Sequence, residues 1–108
     1  MPQLPYRSIT ESGAVLDVSF PLHEHTASAM RVSQLLCALM QTLTREIGVL
    51  GTTSNGDVLQ ALSMALALRA GMVAQAPAAA LGLSLELAAT ATAAVSRSAL
   101  LQLPAGHA

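Results

Sequence analysis

The chain has 108 residues and a formal net charge of −1, with 10% charged and 53% hydrophobic residues, most of them Ala and Leu. That length suits a single domain spanning 1–108. The charge content, far under the roughly 25% of an average soluble domain, leaves a lone small globule short of polar surface. Five scattered arginines, no lysine, one Tyr, one Phe and no Trp argue against nucleic acid as a partner, because neither a basic patch nor a stacking platform can be assembled.

Cys37 is the only cysteine, so no disulfide can close within the chain, and its apolar neighbours predict a buried thiol. The opening "MPQLPYRSIT" carries two prolines and no apolar h-region, unlike a secretory signal. A cytoplasmic address is expected. The lysine-free, Ala-, Leu- and Arg-bearing composition suggests a bacterial source with GC-rich coding.

From about 6 to 20 the sequence predicts a β-hairpin. "YRSIT" and "VLDVSF" flank "ESGA", where Gly13 supplies a positive φ. Leu16, Val18 and Phe20 alternate with Asp17 and Ser19, the period of a half-buried strand. Pro21 ends it.

A first helix is expected over about 26–50, with Thr26 or Ser28 as cap and Gly51 at its end. Val32, Leu36, Leu39, Leu43, Ile47 and Leu50 form one face, opposite a polar strip of Arg31, Gln34, Gln41 and Arg45. Met30, Leu35, Cys37, Met40 and Val49 widen the apolar arc beyond one neighbour.

"TTSNGD" is a turn, with Ser54 or Asn55 capping a second helix over about 55–75 and Asp57 beside the positive end of its dipole. The turn lacks the Gly and Lys of a phosphate loop. Leu59, Leu62, Leu66, Ala70 and Val73 form one stripe, with Val58, Ala61, Ala65, Leu68 and Met72 beside it. A helix apolar on nearly all sides must be covered on nearly all sides. Pro77 opens a third helix over about 78–102, and the residue before a proline leaves the helical region. A single kinked helix is the alternative.

A bilayer is the weaker cover. A spanning helix needs about 20 apolar residues with few or no charges, and Arg69, Glu86 and Arg97 interrupt the candidates. A second copy of the chain resolves the burial better, since obligate interfaces resemble a core cut in half. The fold expected is therefore mainly α: an N-terminal β-hairpin followed by three helices in a homo-oligomeric bundle, a dimer or tetramer. Ala61, Ala65, Leu66, Leu68, Met72 and Val73 are its expected interface.

Chemistry is sparse. No Ser or Thr sits in a nucleophile elbow and Glu46, Asp57 and Glu86 are scattered, so a non-enzymatic role is expected, with no cofactor. His23 and His25 in "HEH" are the candidate metal ligands, with Cys37 or His107 as further donors if folding supplies them. Solvated or capping histidines are the simpler reading. Arg69 falls between the stripes of the second helix. It either pairs with Glu86 or anchors a small apolar acid in a helix-lined cavity. The expected function is a small oligomerisation or interaction protein. The alternatives are an apolar-acid binder using Arg69 and a metal binder using His23 and His25.

Overall fold

A computed structural model describes residues 2–10, 13–73 and 75–101, with side chains placed as far as Ser98. The chain is mainly α: a two-stranded antiparallel hairpin, β1 (Gln3–Ile9) and β2 (Val15–Pro21), precedes α1 (Ala29–Leu50), α2 (Asn55–Gly71) and α3 (Pro77–Leu101). Two compact units are present. One comprises Met1–Ala27 and Glu86–Ala108, the other Ser28–Leu85.

In the first unit the hairpin begins three residues earlier than its sequence suggests, in spite of Pro5. The register explains this. Leu22 N–H bonds Pro2 O and Thr10 N–H bonds Ala14 O, so even-numbered pairs carry the ladder bonds, given the alternation of an antiparallel pair. Pro5 opposite Ser19, and Pro21 opposite Gln3, are odd-numbered. Their missing N–H groups face the outer edges, where proline costs no ladder bond and discourages further pairing. Leu4, Tyr6, Leu16, Val18 and Phe20 line the less exposed face, and Val18 is 3% exposed. Arg7 and Asp17, directly opposite on the outer face, are 3.1 Å apart. Gly13 turns the loop at φ 86.

The C-terminal part of α3 supplies this unit's other wall through small residues, with Ala94 and Ser98 buried. Ser98 Oγ donates to the backbone carbonyl of Asp17, an outward-facing acceptor on the edge of β2. The small-residue character of α3 thus serves contact within the chain here.

In the second unit Ser28 caps α1 by accepting from Arg31 N–H at 3.1 Å. The cap falls at the later of the two candidates, so α1 starts at Ala29. Ser54 caps α2, accepting from Asp57 N–H at 3.2 Å. At its other end α2 stops at Gly71, four residues short of the expected 75, with Met72 N–H bonded to Leu68 O. The break before Pro77 is complete, so α2 and α3 are separate helices. The proline forbids the preceding residue a right-handed helical conformation, and Ala76 takes φ 50.

Two positive-φ positions in this unit give an opposed pair of expected results. Gly51 ends α1 at φ 90, and a Cβ there meets nothing within 4 Å. Gly51→Ala should therefore cost about 1–3 kcal/mol through the backbone alone. Ala76→Gly should instead gain up to about 1 kcal/mol by relieving its left-handed conformation. Thermal unfolding should move in opposite directions for the two variants. A matched fall in both would refute the assignment of backbone strain to Ala76.

Helices α1 and α2 bury little. α1 has no buried residue, and Ala70 is the single buried residue of α2. Cys37, expected inside, is exposed, because no described element covers that side of α1.

Candidate functional site

The hairpin leads into the histidines through Leu22, itself buried. His25 N–H donates to His23 Nδ1 at 3.1 Å, a side-chain turn that satisfies a backbone donor before α1. In the neutral ring that acceptor role leaves the proton on Nε2, which lies 3.8 Å from Glu86 Oε1. His25 Nε2 is 3.7 Å from Glu24 Oε1 instead. The two rings lie 5.3 Å apart at 45° and address different carboxylates. Among the described residues no three His, Cys, Asp or Glu side chains converge as a metal centre requires. His107 lies outside the described residues. A shallow recess between Leu22, His23, Glu86, Leu87 and Thr90 accompanies this cluster.

Arg69 stands exposed in the last turn of α2, where a cation suits the helix dipole. Within its own unit it makes no ion pair among the described residues, and Glu86 is the neighbour of His23. Both stripes beside it are open, Leu68 at 69% and Met72 at 71% exposure.

An apolar groove of about 380 Å³ lies between α1 and α2 in the second unit. Leu35, Ala38, Leu39, Thr42 and Leu43 form one wall, with Ala61, Leu62 and Ala65 opposite. The Thr42 hydroxyl donates back to Ala38 O at 2.9 Å, so this polar residue adds no free donor to the groove. A second apolar hollow runs along Met64, Ala67, Leu68, Gly71 and Met72. Arg69 lines neither of them.

No protein-family model, curated protein or solved structure matches this chain. The functional reading therefore rests on the geometry alone.

Two of the interface residues expected from sequence, Ala61 and Ala65, line the groove; Leu66 and Leu68 are exposed on the same helix, and Met72 and Val73 are exposed just past its end. The contribution of α1 was not anticipated. Its signal is the spacing of Leu35, Ala38, Leu39 and Thr42 at three and four residues, a second stripe beside the longer one that draws attention first. Within α3, Pro77–Ser98 is long and apolar enough to cross a membrane by length and composition, with mean hydropathy 1.5. The same stretch includes Glu86, beside His23, and Ser98, bonded to the hairpin.

Proposed function

We propose that this chain is a non-enzymatic assembly protein that forms a homo-oligomer through the helices of its second unit. One observation carries the reading. Of nineteen large apolar side chains exposed among the described residues, sixteen belong to Ser28–Leu85, so the demand for a cover is concentrated on the helices. An apolar surface on that scale marks an interaction site in a soluble protein. Ala61, Ala65, Leu66 and Leu68 on α2, with Met72 and Val73 just past its end, form one side of the interface. Ala61 and Ala65 allow close helix approach, while Leu68 and Met72 supply buried area.

The apolar-acid reading has the size of the groove in its favour, within the usual range for ligand pockets, but lacks Arg69 at the lining. The metal reading keeps only two histidines with separate partners. Sedimentation equilibrium at micromolar concentration without detergent tests the proposal, and a dimer or tetramer mass is expected. A monomer that folds reversibly would overturn it. A chain soluble only in detergent would shift the reading to a membrane bundle built on α3.

A further inference from the structure

We infer that the α1–α2 groove is filled by the α1–α2 pair of a second copy running antiparallel to it, giving a four-helix bundle with reciprocal ion pairs at its ends. The inference rests on the oligomer reading and adds the occupant, its orientation and the charges that select it.

The groove has a sign at each end. The four-residue stretch 51–54 joins α1 to α2, and a loop this short makes antiparallel neighbours. Leu43 then lies level with Ala61 and Leu62, and Leu39 with Ala65, in agreement with the groove lining. Continuing the α1 wall by three- and four-residue steps reaches Arg31 in one direction and Glu46 in the other. The α2 wall continues to Arg69 and toward Asp57. Arg31 and Arg69 therefore sit at the open end, and Glu46 and Asp57 at the end closed by the loop. All four are exposed. Arg45 lies about a quarter turn away from the groove around α1.

A parallel second copy would set arginines against arginines and carboxylates against carboxylates. Turned end for end by a two-fold axis through the groove centre, the second copy brings Arg69 to the level of Glu46 and Arg31 to that of Asp57. That axis lays α1 over the second copy's α1 and α2 over its α2, so each pair meets diagonally across an end of the bundle and is made twice, as an isologous interface requires. Size agrees as well. Of the two helices, 22 and 17 residues long, the shorter measures about 25 Å, and each is about 10 Å across. That is on the order of 500 Å² in projection, and more once side-chain relief is counted, the scale of the roughly 800 Å² per partner in a stable interface. Both outer edges of the hairpin carry a proline without a facing N–H, so sheet extension does not compete as the route to assembly.

The test is a charge series read by sedimentation. Arg31→Glu with Arg69→Glu makes both ends of the groove negative and should raise the dimer Kd at least about tenfold at low salt. Adding Glu46→Arg and Asp57→Arg to the same chain reverses the polarity of the groove and should restore wild-type affinity. Equal affinity across the series would refute the charge pairing while leaving the oligomer in place; a monomeric wild type would defeat the oligomer itself. A spin label at Thr52→Cys in a Cys37→Ser background reads orientation without touching the groove. Antiparallel copies place the two labels roughly 35 Å apart. A separation under roughly 20 Å, set by neighbouring helices alone, would mean parallel copies and overturn the inference.

Discussion

Ala65→Glu is expected to dissociate the oligomer, or to unfold the second unit in a manner that depends on protein concentration. Ala65 lines the apolar groove and is exposed in the single chain, so the monomer tolerates a glutamate there in water. In an interface the same carboxylate is stripped of solvent, and its bulk separates helices that close approach brings together. The change occurs in both copies at once. A penalty of roughly 3 kcal/mol or more corresponds to a rise in Kd of at least about a hundredfold. An obligate oligomer has no stable monomer to fall back on, hence the alternative of concentration-dependent unfolding. Gln60→Glu introduces the same charge on the far side of α2 and should leave the mass unchanged. Light scattering that finds both variants as large as the wild type would remove the α2 stripe from the interface.

Val18→Asp should abolish the stable fold of the first unit. Val18 is the most buried side chain of the hairpin, directly opposite Tyr6 on the face turned to the interior. A carboxylate there loses its water and gains no described partner, a loss on the order of 3 kcal/mol or more. Two strands alone are marginal in water, so the hairpin has little reserve against it. Ser19→Asp, one residue away on the exposed face, should stay within about 0.5 kcal/mol of wild type. Denaturant melts and the exchange protection of the Leu16 and Phe20 amides distinguish the outcomes. Equal destabilisation by both substitutions would contradict the two-faced hairpin.

The hairpin, the three helices and most of their caps were legible because each is written in short-range chemistry. Alternation at Leu16, Val18 and Phe20, Gly13 in the turn, Ser28 and Ser54 before apolar periodic runs, and Pro77 at a helix start all act within a few residues of themselves. Errors fall where two local options compete. Thr26 and Ser28 are both able to cap, and only the observed hydrogen bond from Arg31 selects Ser28. Pro5 looks like a strand breaker until the register shows that its nitrogen faces outward. The break after α2 needed the proline's steric demand to be weighed against a helix able to kink, and the positive φ of Ala76 records which option was taken.

The candidate sites were less legible, since their partners are distant in sequence. Glu86 is as far from Arg69 as a helical hairpin about Pro77 would require, yet it is His23 that it meets. Cys37 among Leu and Ala reads as buried, but burial belongs to whatever element covers a helix face, and no described element covers this one. Composition and periodicity alone establish a hairpin, three helices and more apolar surface than one small chain can hide, because propensity, capping and hydropathy are properties of neighbouring residues. The tertiary structure decided which surface stays open. The groove between α1 and α2, the role of α3's small residues against the hairpin, and the neighbour of each charge depend on contacts between segments that no local pattern encodes.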